Sequence, residues 1–179
     1  AHAGYMLLAM PVMSGDSVYA IMIYLVMYLF MNLGAFFVVI TIKNKTGGET
    51  FDDYKGLGWE MPLIGIAMTV FMVSLTGLPP TAGFIGKFYI FAALIKGGNS
   101  FYWLVLIGGI NSVVSLYYYF RVVKVMFFEG KKSETNLQPH KIMAGMLIGM
   151  AVPTLVLGIY WVPLADWVQS SLVFFILTL

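Results

Sequence analysis

The chain has 179 residues, of which 60% are hydrophobic and only 10% charged. A soluble domain carries about 25% charged residues and at this size cannot bury so much apolar surface; lipid as the solvent removes the difficulty. The net charge of +2 is too small to draw nucleic acid, and the lack of cysteine rules out disulfides, thiolate metal sites and cysteine nucleophiles.

A membrane span needs about 20 mostly apolar residues. Residues 1–13 are too few and read as the end of a transmembrane helix whose start lies upstream, closed by Ser14-Gly15-Asp16-Ser17. Residues 18–42 hold no charge and read as a full span; 43–60 form a polar loop with Lys43, Lys45, Asp52, Asp53 and Lys55. Residues 61–95 are apolar but too many for one straight span. Pro79 and Pro80 sit in their middle between Gly77 and Gly83, where each proline removes a donor and clashes with the preceding turn. Residues 101–128 read as a span, 129–141 as a second polar loop, 142–161 as a span, and 163–179 as an interfacial or packing segment.

The double proline allows a hairpin with two crossings or one broken helix with a single crossing. Counting Lys and Arg decides. A single crossing puts Lys43, Lys45 and Lys55 on the same side as Lys131, Lys132 and Lys141, with Arg121 and Lys124 nearby; a hairpin separates them. The expected fold is therefore an all-α transmembrane bundle with one proline-broken helix. Both loops face the cytoplasm or its equivalent, and the C-terminus lies on the other side.

Lys87 is the one charged residue deep in an expected span. A lysine at the bilayer centre costs at least ~2.5–3.5 kcal/mol, and ionisable residues at such depth mark ion and proton paths. Unwound backbone at the break offers carbonyl partners and room for water. The competing reading is snorkelling toward Lys96, about 13 Å away along a helix. His2 is the second candidate, because imidazole titrates nearest neutrality; a histidine hydrogen-bonded in the bundle is its bland counterpart. Asn32, Thr69, Ser74, Thr76, Asn111, Ser112 and Ser115 are suited to bridging helices or holding water. Tyr117, Tyr118, Tyr119 and Arg121 read as an interfacial aromatic belt with a snorkelling arginine. Asp52 and Asp53 read as a solvated pair balanced by Lys55. No phosphate-binding loop, dinucleotide fingerprint, haem motif, iron–sulfur ligand set or metal site is present, so no cofactor is expected in this chain.

A resemblance rests on strings in order: Ala1-His2-Ala3-Gly4-Tyr5; Tyr28-Leu29-Phe30-Met31-Asn32-Leu33-Gly34-Ala35-Phe36; Asp53-Tyr54-Lys55-Gly56-Leu57-Gly58; Ser74-Leu75-Thr76-Gly77-Leu78-Pro79-Pro80-Thr81-Ala82-Gly83-Phe84-Ile85-Gly86-Lys87-Phe88-Tyr89; and Leu116-Tyr117-Tyr118-Tyr119-Phe120-Arg121. They resemble the C-terminal part of subunit N of the proton-pumping NADH–quinone oxidoreductases (respiratory complex I), subunit 2 in mitochondria. These belong to an antiporter-like membrane family. The likeness weakens after about His140. It implies the second of two inverted five-helix repeats, with the Pro79-Pro80 break in its discontinuous helix. It also implies proton transfer at Lys87 and a proton relay at His2. The expected cofactors, FMN, iron–sulfur clusters and quinone, lie in partner subunits. The expected partners are the lipid membrane, the neighbouring antiporter-like subunit M and the small subunit K, in a hetero-oligomer of the bacterial inner membrane. A component of an Mrp-like cation/proton antiporter of the same fold is the alternative, and a structural scaffold with incidental titratable groups is a third reading.

Overall fold

A computed structural model of the chain describes residues 1–130 and 141–178, with side chains to Leu172. Among the described residues there are helices and no strands: α1 (His2–Ala9), α2 (Gly15–Thr46), α3 (Leu57–Glu60), α4 (Pro62–Thr76), α5 (Ala82–Lys96), α6 (Tyr102–Phe128), α7 (Lys141–Ile159) and α8 (Val162–Thr178). Short 3-10 turns at Met10–Val12, Phe51–Tyr54 and Asn99–Phe101 join them. Lys131 and Lys132, which the sequence assigns to the second polar loop, lie outside the described residues.

Helix α2 shows how local sequence sets its own limits. Ser14 and Ser17 bond reciprocally, side chain to backbone N–H, at 3.2 and 3.0 Å, which satisfies donors the first turn leaves orphaned. Asp16 stands in the first turn and Lys43 and Lys45 in the last, each complementing the helix dipole. Gly47 ends the helix in the left-handed region at φ 78°. With 32 residues, α2 is about 48 Å long, more than the hydrocarbon thickness of about 30 Å. Together with Asn99–Phe128 and Lys141–Ile159, it is long and apolar enough to cross a membrane.

Helices α4 and α5 have 15 residues each, about 22 Å, and neither spans alone. They lie end to end along α2. Ile64, Ala67, Met68, Phe71, Met72 and Leu75 of α4 pack on Met31, Ala35, Val38 and Ile42 in the second half of α2. On the first half of α2, Ile90, Ala93 and Leu94 of α5 pack with Ala20 and Tyr24, while Ala82 and Ile85 pack with Ile23 and Met27. The exposed pair Lys96–Asp16 (2.9 Å) closes the far end. So α4 and α5 form one broken rod antiparallel to α2, the proline-broken helix that the sequence expects, and do not fold back on each other as a hairpin.

The remaining helices brace this broken element. Leu104 of α6 packs on the end of α5, and Val125 and Met126 of α6 pack with Tyr54, Leu57 and Met61 at the start of α4. Leu147 of α7 joins the α4 side, and Leu157 the α5 side. Of the segment 163–179, residues 163–178 lie within α8, whose Ala165 and Val168 pack beside Ile23 and Met27. Lys43, Lys45, Lys55, Arg121, Lys124 and Lys141 therefore gather at one end of the bundle, the basic end. In the connecting loop, Lys55 pairs with Asp52 alone (2.6 Å), not with both aspartates. Asp53 instead accepts from the hydroxyl and N–H of Thr50 (2.6 and 2.8 Å), which hold its carboxyl below its ordinary value.

Candidate functional site

The site forms where α4 stops and α5 starts. Gly77 takes the left-handed conformation (φ 87°) and its N–H bonds back to the carbonyls of Val73 and Ser74; glycine does this without a Cβ penalty. Leu78 and the cis-linked Pro79-Pro80 follow, and α5 resumes after Thr81. The gap is held shut by small residues. The Gly83 N–H donates to Ser74 Oγ at 3.0 Å, and a Cβ on Gly83 would lie 1.8 Å from the Ser74 carbonyl oxygen. From α7, Gly158 meets the break so closely that a Cβ there would lie 2.1 Å from the Pro80 carbonyl oxygen.

Lys87, on the second turn of α5, turns back into this gap and is 4% exposed, which excludes snorkelling to a headgroup region within this bundle. Its Nζ donates to the carbonyl oxygen of Thr76 at 2.6 Å and to Ser112 Oγ at 3.3 Å, and stands 4.5 Å from the centroid of the Tyr5 ring. Thr76 is the last residue of α4, where carbonyls lack helical partners and the dipole is negative. A cation at this point is favoured on both counts. Among the described residues no carboxylate pairs with Lys87.

The hydrogen bonds around the amine form a directed chain. The Tyr5 hydroxyl donates to the Gly108 carbonyl at 2.8 Å and lies 2.6 Å from Ser112 Oγ. Having spent its one proton on Gly108, Tyr5 accepts from Ser112, which leaves the Ser112 lone pairs for Lys87. A neutral amine keeps both acceptors, Thr76 and Ser112. What distinguishes the charged form is the α4 terminus and the Tyr5 face, the latter worth about 0.5–2 kcal/mol.

His2 lies one turn from Tyr5 on α1 and is 7% exposed. Its Nδ1 is 2.7 Å from the Tyr24 hydroxyl and its Nε2 is 2.8 Å from the Tyr119 hydroxyl. In the neutral ring one nitrogen donates and the other accepts. The His2 and Tyr5 rings are 6.4 Å apart, so Tyr5 stands between Lys87 and His2. Among the described residues no hydrogen bond joins their two clusters.

Tyr119 departs from the aromatic-belt reading: it points inward, whereas Tyr117 is 77% exposed. Sequence reasoning missed Tyr5, Tyr24 and Tyr119 as partners. The signal for Tyr119 lay in spacing, because Gly108, Ser112, Ser115 and Tyr119 recur at four, three and four residues, one face of a helix. Of the other polar candidates, Ser74 and Ser112 bridge helices. Thr69, Thr76 and Ser115 bond within their own helix, to Gly65, Met72 and Ser112 carbonyls.

The chain as a whole has relatives among known proteins. Residues 1–115 match the family described as NADH:quinone oxidoreductase/Mrp antiporter, transmembrane. The chain is 49% identical over 173 residues to NADH-quinone oxidoreductase subunit N 2 of Sorangium cellulosum, covering 96% of this chain and 34% of that protein. It is 47% identical over 175 residues to subunit N of Chlorobium chlorochromatii, covering 96% and 34%. The chain thus spans about a third of the length of the curated relatives it matches. Among solved structures, respiratory complex I from Thermus thermophilus matches with a TM-score of 0.70 at 27% identity, covering 93% of this chain and 37% of that one. A chain of the archaeal membrane-bound sulfane sulfur reductase matches with a TM-score of 0.76 at 27% identity, covering 88% and 31%.

Proposed function

Since the chain belongs to the NADH:quinone oxidoreductase/Mrp antiporter transmembrane family, we propose that it is part of an antiporter-like subunit of respiratory complex I that moves protons across the membrane. The single observation that carries this is the Lys87 amine, buried at the end of a half-helix with a carbonyl, a hydroxyl and an aromatic face, and no carboxylate partner among the described residues. Thr76 and Ser112 serve the amine in both charge states, so a proton can leave or arrive without breaking the cradle. His2 passes protons between Tyr24 and Tyr119, and a water between the two clusters completes the relay. A charge change relayed from the upstream repeat tips Lys87 toward release. The energy comes from quinone reduction in partner subunits that hold FMN and iron–sulfur clusters. Subunits M and K flank this one, in a bacterial inner membrane whose cytoplasmic face meets the basic end.

The test is Lys87→Ala in the assembled complex. Pumping coupled to NADH oxidation should fall at least tenfold while assembly is retained; wild-type rate and stoichiometry would remove Lys87 from the path. His2→Ala should lower pumping more mildly, and an unchanged proton-to-electron ratio at unchanged turnover would exclude it. The family's own description supplies a second reading, a cation/proton antiporter component. Copurification separates them: flavin and iron–sulfur proteins accompany the complex I subunit, and not the antiporter.

A further inference from the structure

A groove of about 400 Å³ runs between the second half of α2, α4 and α6, walled by Asn32, Phe36, Met72, Leu75 and Tyr118 among others. It adjoins a cavity of about 170 Å³ near the basic end, with Val39, Phe51, Met68 and Val122 shared by both. From Asn32 to Val39 the groove follows seven residues of α2, about 10 Å of depth. Its walls are almost wholly apolar, which makes it a poor conduit for water and a good seat for hydrocarbon. One extended chain fits.

The rim carries a charge that has no carboxylate partner among the described residues. Near the basic end Lys43 pairs with Glu49, Lys55 with Asp52 and Lys124 with Glu129. Glu49 also lines the smaller cavity, so its charge there is already matched. Arg121 is exposed, and among the described residues no carboxylate pairs with it. Its guanidinium lies 4.5 Å from the centroid of the Phe51 ring, and Phe51 is a wall of both cavities. A guanidinium stacked on an aromatic face keeps its in-plane donors for a bidentate oxyanion.

We propose that this groove holds one acyl chain of a membrane phospholipid whose phosphate is bound by Arg121. The experiment uses the full subunit in its complex, in nanodiscs of phosphatidylethanolamine with a trace of phosphatidylglycerol carrying a diazirine in its acyl tail. After photolysis, labelled residues are mapped by mass spectrometry. Label should concentrate on Phe36, Met72 and Tyr118 over Leu106 and Val113, which are exposed elsewhere on α6, and unlabelled phosphatidylglycerol should compete it away. Arg121→Gln should lower groove labelling at least fivefold and leave Leu106 and Val113 unchanged, which also reports that the fold is intact. Met72→Trp, which fills the groove and keeps the arginine, should lower it as much. Even labelling of groove and outer face, or groove labelling indifferent to Arg121→Gln, overturns the proposal. So does a benzoylphenylalanine at Met72 that crosslinks to another segment of protein instead of to lipid.

Discussion

At the scale of single residues, the amine is held by groups that differ in what they sense. Tyr5→Phe keeps the ring beneath Lys87 and removes the hydroxyl that bonds Gly108 and Ser112; it should cost about 0.5–1.5 kcal/mol of stability and leave pumping largely intact. Tyr5→Leu also removes the ring face and should cut pumping several-fold more, read as proton uptake per NADH oxidised. Gly77 makes a sharper case. A Cβ there would sit 2.7 Å from Lys87 Cδ, and the left-handed backbone adds about 1–2 kcal/mol for an ordinary residue. Gly77→Ala should destabilise the subunit, and combining it with Lys87→Ala should cost less than the sum of the two, because the collision is gone; strict additivity in thermal unfolding would contradict the contact. Lys87 was legible in the sequence because one charge in an apolar run is conspicuous. Tyr119 was harder to read, because α6 carries apolar and aromatic residues on every face, and the one mark of its inward side is the spacing it shares with Gly108, Ser112 and Ser115.

At the scale of elements, the break is a joint closed by backbone contacts. Ser74→Ala leaves the Gly83 N–H without its acceptor, a buried loss of about 1–3 kcal/mol, and should lower the melting temperature of the assembled subunit. Gly83→Val should do far more, since the Ser74 carbonyl cannot retreat, and the expected readout is loss of the subunit from the complex. Two prolines in an apolar run announced this joint, and the positive charges on either side favour a single crossing. The seam with α7 was hidden. Gly158 reads as an unremarked small residue in a span, and its role arises only because α7 lies across the gap at that height. The partner carbonyl of Lys87 was hidden too, since every residue has one and only the end of α4 leaves it free.

At the scale of the whole molecule, charge and topology agree. Lysine and arginine gather at the basic end, while Lys96 at the other end is matched by Asp16. That exposed pair is worth at most about 1 kcal/mol, so Asp16→Asn should leave pumping unchanged. These 179 residues contain no cysteine, so cysteines placed at Gly48 and Glu129 should react with an impermeant thiol reagent from one face only, and one at Asn99 from the opposite face. Labelling of all three from the same face would refute the single broken crossing.

Helix α2 adds a constraint of its own, because one uninterrupted rod lies beside both halves of a severed one. It acts as a splint whose gauge is fixed by its own pitch. Removing one residue between Met27 and Met31 would turn everything beyond by about 100°, and the two halves of α2 could no longer address α4 and α5 together. The same deletion at Gly48, past the end of the rod, would turn nothing. Tolerance to a change of length should therefore be lowest in α2, which contributes Tyr24 to the site, and not at the joint that positions Lys87.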